Sequence, residues 1–99
     1  MATLPVEFHP AARAEANAAF DYYLECSPRA AEVFLGDLES ARAAIEASTD
    51  TWAEYLYGTR RYLLSQFPFV VVYRVTPRRI EPIAVAHGRR RPGYWKDRL

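Results

Sequence analysis

The chain has 99 residues, 51% apolar and 25% charged, which suits one globular domain with a single core and excludes both disorder and a two-domain protein. No apolar run approaches the roughly 20 residues that cross a bilayer, and residues 1–5 lack the basic start and apolar stretch of a signal peptide, so a cytoplasmic protein without membrane contact is expected. The net charge of +1 hides a split: residues 1–59 carry three basic and ten acidic side chains, a net of −7, and residues 60–99 carry ten basic and two acidic ones, a net of +8. That asymmetry points to an anionic partner for the second half.

Leu4, Val6 and Phe8 alternate with Thr3, Pro5 and Glu7, the period of a short strand with one buried face, and Pro5 places it at a sheet edge. Pro10 suits the first turn of a helix that runs to about Cys26, with Ala12, Ala16, Ala19, Phe20, Tyr23 and Leu24 on its apolar stripe. Ser27-Pro28 stops that helix and starts the next, Ser27 as cap and Pro28 in the first helical position. The second helix reaches about Ala47 on a stripe of Ala31, Phe34, Leu35, Leu38, Ala41, Ala44 and Ile45, and the short joint makes the pair an antiparallel hairpin.

Residues 48–58 read as a loop that lays Trp52, Tyr55, Leu56 and Tyr57 over the core. Beyond Gly58 the period becomes that of strands: residues 60–64, a turn at Ser65-Gln66-Phe67-Pro68, a strand from Phe69 to Val75 apolar enough to be buried on both faces, a turn at Thr76-Pro77-Arg78, and a strand from Ile80 to Ala86. In that last strand Ile80, Pro82, Ala84 and Ala86 fall on one face and Glu81, Ile83 and Val85 on the other. The expected fold is α+β: an N-terminal strand, a helical hairpin and a three-stranded antiparallel meander, four strands in one sheet, as one domain over residues 1–99. Cys26, the single cysteine, cannot form an internal disulfide and reads as a small buried or half-buried residue without a redox role. His9 and His87 lie at opposite ends, so neither a metal site nor another cofactor is expected.

This order of elements, with Phe8-His9-Pro10, Tyr22-Tyr23, Arg61, Phe67-Pro68-Phe69, Val72-Tyr73-Arg74 and Ala84-Val85-Ala86-His87-Gly88-Arg89-Arg90, resembles the RelE/ParE superfamily of bacterial toxins. The closing Pro92-Gly93-Tyr94-Trp95 resembles a branch described as plasmid-stabilisation proteins. The resemblance implies the growth-inhibiting toxin of a type II toxin–antitoxin system, neutralised by a cognate antitoxin protein. It carries two activities: RelE-like members cut mRNA on the ribosome, whereas ParE-like members bind and inhibit DNA gyrase.

RNA cleavage needs cations around the phosphorane-like transition state and a group that moves protons. Carried over by position, the RelE-like cluster falls on Arg61 and Arg90, with Tyr94 near the C-terminal tyrosine although its spacing is two residues shorter, and His87 as the proton-transfer group. Two further cationic positions fall on Leu63 and near Val70, both apolar. The ParE-like reading needs a surface rather than a catalytic constellation, and His87-Gly88-Arg89-Arg90 resembles a segment of that branch; it is the reading preferred for the target.

For a target or an acidic antitoxin segment, the expected contacts are Arg60, Arg79, Arg89, Arg91, Trp95, Lys96 and Arg98, a common basic face. His87 has a second reading as a hydrogen-bonded bridge between strand and tail, and Trp95 as packing for the tail. A homodimer and a toxin–antitoxin hetero-oligomer are both open, because Leu63, Leu64 and an edge strand offer apolar surface.

Overall fold

A computed structural model describes residues 4–99; Thr3, at the start of the predicted N-terminal strand, lies outside the described residues. The helical hairpin forms as its sequence dictates. Helix α1 spans Pro10–Cys26 and α2 spans Pro28–Ala47, each with proline in its first turn. The Ala11 N–H donates to His9 Nδ1 at 3.0 Å and the Ala30 N–H to Ser27 Oγ at 3.0 Å, so a side chain caps each N-terminus. The Ser27 N–H also donates to the Tyr23 carbonyl at 2.8 Å, so one residue closes α1 and opens α2.

The sheet has the order β1-β2-β3-β4, with β1 Ala53–Glu54, β2 Arg60–Leu63, β3 Phe69–Val75 and β4 Ile80–His87, all neighbours antiparallel. The fourth strand is therefore not the N-terminal one. Residues 53–54, read from sequence as loop, pair with Arg60 and Arg61 because the tight turn through Leu56–Gly58 folds the chain back on itself. Among the described residues the N-terminal segment makes a single parallel bridge, Val6 to Ile80, on the far edge of β4. Pro5 contributes its carbonyl there, accepting from the Ile80 N–H at 2.9 Å, while the N–H groups of Glu7 and His9 donate to the Ile80 and Pro82 carbonyls at 2.9 Å. Helix α1 begins at the next residue, so the pairing ends before a ladder develops.

Both faces of the sheet are covered. Ala19, Phe34, Ala41 and Ile45 of the hairpin pack on Leu64, Val71, Tyr73 and Ile80. The rings of Tyr23, Phe34, Phe67 and Phe69 join this core at centroid distances of 4.7–6.4 Å, a range in which aromatic pairs add to area burial. The C-terminal tail covers the other face, where Trp95 packs on Val72, Ile83, Ala84 and Ala86.

One irregularity redirects β4. The register slips between Val72, which faces Ala84, and Tyr73, which faces Pro82, leaving Ile83 as the extra residue of a bulge. The alternation read from sequence breaks there: Ile80 joins the helix-side core while Ala84 and Ala86 lie under the tail. Smaller expectations also fail: Leu64, expected to offer apolar surface, is buried in the helix-side core. Leu24 and Leu35 are exposed, each one residue and so about 100° around the helix from the buried or half-buried rings of Tyr23 and Phe34. Cys26 is exposed, because it ends α1 at the outer tip of the hairpin.

Candidate functional site

The sheet register decides which cations share a surface. In β2, Arg61 lies opposite Val72 and Leu63 opposite Val70, so Arg61, Leu63, Val70 and Val72 share the tail-side face. A cleft of about 380 Å³ opens on this face, floored by Leu63, Val70 and Ala86, walled by Phe67 and Pro68 of the β2–β3 turn, and flanked by Arg61, Tyr55, Arg90, Arg91 and Tyr94. Leu63 is 66% exposed, a large apolar side chain open to solvent at the centre of a basic site.

Arg61, Arg90 and Lys96 each rest on a tyrosine ring. The Arg61 guanidinium carbon is 4.7 Å from the Tyr55 ring centre, Arg90 is 3.8 Å from Tyr94, and the Lys96 ammonium is 5.0 Å from Tyr57. Trp95, 2% exposed, lies beneath, 6.0 Å from the rings of both Tyr55 and Tyr57. A cation held on a ring keeps its full charge for an incoming anion, whereas one paired to a carboxylate does not. Among the described residues Arg61, Arg89, Arg90, Arg91 and Lys96 form no ion pair.

The other predicted contacts are placed elsewhere. Arg60 projects to the helix side with Tyr73, donates to the Trp52 carbonyl at 2.7 Å and sits 3.7 Å from Glu54. Arg79 lies at the opposite end of β4, paired with buried Glu81 at 3.0 Å and with Glu7 at 3.3 Å; Arg74 also pairs with Glu81, at 2.9 Å. Arg98 is tied to Glu15 at 2.8 Å. Trp95 is the support of the site rather than part of its surface. Of the basic face expected from sequence, Arg89, Arg91 and Lys96 stay unpaired beside Arg61 and Arg90, because Glu54, Glu7, Glu81 and Glu15 pair with Arg60, Arg79 and Arg98.

Of the two proposed proton-transfer groups, Tyr94 is bonded through its hydroxyl and His87 through Nδ1. His87 lies opposite Phe69 in the ladder, its ring 5.2 Å from the Phe69 ring, and its Nδ1 accepts the Arg89 N–H at 3.1 Å. The Tyr94 hydroxyl donates to Glu15 Oε2 at 2.6 Å. Burial, and then the bond to Glu15 and its charge, push the Tyr94 phenol well above its ordinary range. Burial also pushes the Glu15 carboxyl up, but the hydrogen bonds from Arg98, Tyr94 and the Val85 N–H outweigh it and leave it below its ordinary value. Arg61, His87, Arg90 and Tyr94 therefore all line the one cleft, but the phenol is held neutral and bonded. No group of three His, Cys, Asp or Glu side chains gathers among the described residues where it could hold a metal ion, and no helix there is long and apolar enough to cross a membrane.

Residues 6–92 match the family model described as ParE toxin of type II toxin–antitoxin system, parDE. The chain belongs to the ParE toxin family. Its fold is similar to a solved chain of the chromosomal ParDE TA system from P. aeruginosa, with a TM-score of 0.75 at 19% identity over 86% of this chain and 96% of that one. No curated protein matches it. Membership puts the cleft in a toxin of a type II toxin–antitoxin system, and the match runs through Arg61, Leu63, Val70, His87 and Arg90.

Two features of the site escaped the sequence reading. Glu15, which holds the tail, is separated from Tyr94 and Arg98 by most of the chain, and its one local signal is its place on the stripe of Ala12, Ala16 and Ala19. Tyr57, the platform under Lys96, has φ of 58°, a left-handed conformation unusual for a tyrosine, and nothing in its neighbours apart from Gly58 announces it.

Proposed function

We propose that this ParE-family toxin arrests growth by binding DNA gyrase in the cytoplasm, without cleaving RNA, and that its cognate antitoxin neutralises it in a toxin–antitoxin hetero-oligomer. The observation that carries the reading is the apolar strip of Leu63 and Val70 between Arg61 and Arg90. A ribonuclease site would stabilise a doubly charged phosphorane with converging cations and a mobile proton; here the central positions are leucine and valine. Of the candidates for proton transfer, the Tyr94 hydroxyl is engaged by Glu15, and His87 Nδ1 accepts the Arg89 N–H. Exposed leucine bordered by unpaired arginine suits a protein surface that is both apolar and acidic. The ParDE system with which the fold compares supports the pairing with an antitoxin.

The test is to add the purified protein to gyrase and, separately, to translating ribosomes. Inhibited supercoiling with intact mRNA is expected. Cleaved mRNA would return the RelE-like reading, with Arg61, His87, Arg90 and Tyr94 as its residues. Activity in neither assay, and no growth arrest on expression, would leave an attenuated toxin that only binds its antitoxin.

A further inference from the structure

A carboxylate from the acidic half of the chain reaches the basic site. Glu15, on α1, accepts four hydrogen bonds from two other elements. Its Oε1 takes the Val85 N–H of β4 at 3.0 Å and Arg98 Nη1 at 2.8 Å; its Oε2 takes the Tyr94 hydroxyl at 2.6 Å and Arg98 Nη2 at 3.1 Å. Arg98 Nη1 also donates to the Ile83 carbonyl at 3.0 Å, at the bulge of β4. The carboxylate thus fixes the tail at two points, one of them the phenol of Tyr94.

We propose that Glu15 is a positioning residue for Arg90, acting through Tyr94. An anchored hydroxyl fixes the direction of the Cβ–Oη axis and so the place of the ring, and conjugation of the phenolic C–O bond favours an acceptor in the ring plane. The ring so fixed is the platform 3.8 Å beneath the Arg90 guanidinium, with Arg98 5.2 Å from the same ring. Arg90 is exposed and forms no ion pair among the described residues, so the ring is the contact that holds it at the cleft. The chain of cause runs from a carboxylate on the first helix, through a phenol, to a cation that faces the partner. Loss of the anchor leaves the charge of Arg90 in place and removes its aim. Ordering one long side chain at an interface is worth about a three- to tenfold change in binding.

The direct test is nuclear magnetic resonance of the Arg Nε–Hε groups in the ¹⁵N-labelled protein. Tyr94→Phe keeps the ring and the Glu15–Arg98 pair and removes only the anchor; Glu15→Ala removes both. In each, the Arg90 signal is expected to move toward that of an unstructured arginine and its heteronuclear NOE to fall, while the Arg61 signal over Tyr55 stays. An Arg90 signal unmoved in Tyr94→Phe, or Arg61 moving as far as Arg90, overturns the proposal. If Glu15→Ala does not fold, Tyr94→Phe alone decides.

The functional arm rests on the gyrase reading. Both variants are expected to inhibit supercoiling three- to tenfold less well than wild type, and to add nothing in an Arg90→Ala background; an equal further loss in that background refutes the positioning role. Failure of the wild type to inhibit gyrase would defeat the gyrase reading only, since the resonance experiment still decides the role of Glu15.

Discussion

Asp37→Asn tests how the wall of the cleft is held in place. Asp37 is a carboxylate on the inner face of α2, 5% exposed. Its Oδ1 accepts from the Ser65 N–H at 3.2 Å and the Ser65 hydroxyl at 2.8 Å, and its Oδ2 accepts from the Gln66 N–H at 2.8 Å. These bonds pin the start of the β2–β3 turn, whose Phe67 and Pro68 line the cleft. Asparagine keeps the volume, so no cavity forms, but its NH₂ replaces an acceptor and faces a backbone donor.

Bonds to a charged group contribute about 1.5–3 kcal/mol each, and an apposed donor adds a desolvation cost. Against that, Ser65 and Gln66 are exposed, so water replaces part of what is lost. The balance is a loss of about 2–3 kcal/mol, close to the value of one full charged bond. At about 4–8 °C per kcal/mol for a domain of this size, the midpoint should fall by about 10–20 °C. Thermal unfolding followed by far-ultraviolet circular dichroism, with urea unfolding to check an unchanged m-value, measures it. A fall of less than about 0.5 kcal/mol, the scale of a neutral surface substitution, would show that the turn does not depend on this carboxylate.

The pH dependence of stability should carry two signatures of the tail anchor. Glu15 is shifted down in the folded state, so its contribution is complete above the unfolded value near 4.5 and is lost as pH falls through the folded one; Glu15→Gln should flatten the acid limb of a urea-midpoint profile. Tyr94 is shifted up, so the folded state holds the phenolic proton longer, and stability should decline as pH rises above about 10, a decline that Tyr94→Phe weakens. Gly93 has φ of 82°, and an added Cβ would meet the Tyr57 ring at 3.3 Å, so Gly93→Ala should lower stability by about 1–2 kcal/mol and shift tail fluorescence from Trp95. Leu63→Glu, at an exposed position, should change stability by no more than about 0.5 kcal/mol and yet relieve growth arrest on expression, because it puts an anion on the floor between Arg61 and Arg90. Arrest as strong as wild type would show that the cleft is not the working surface.

What the sequence determined by itself is what local physics controls. The hairpin is legible because Pro10, Ser27 and Pro28 mark its ends and the alanine and aromatic stripes have helical period; the meander is legible because β-branched and aromatic residues alternate between turn residues. The resemblance of Arg61 and of residues 84–90 to RelE/ParE toxins named the right family for the same reason, since motif order survives in one dimension.

The tertiary structure alone decided which charges count. Arg60, Arg74, Arg79 and Arg98 are neutralised by Glu54, Glu7, Glu81 and Glu15, and two of those four carboxylates, Glu7 and Glu15, meet an arginine 72 and 83 residues away. It also decided which residues share a face, because the bulge at Ile83 inverts the alternation that the spacing suggested. One trace of these long-range pairings does exist in the chain. Glu15 sits among Ala12, Ala16 and Ala19, and Asp37 among Phe34, Leu38 and Ala41, each an acid on an apolar helical stripe. A carboxylate in such a place must find donors as it leaves water, and here each one ties its helix to the walls and cations of the cleft. The stripe announces that partners exist; only the fold brings Tyr94, Arg98 and Ser65 to meet them.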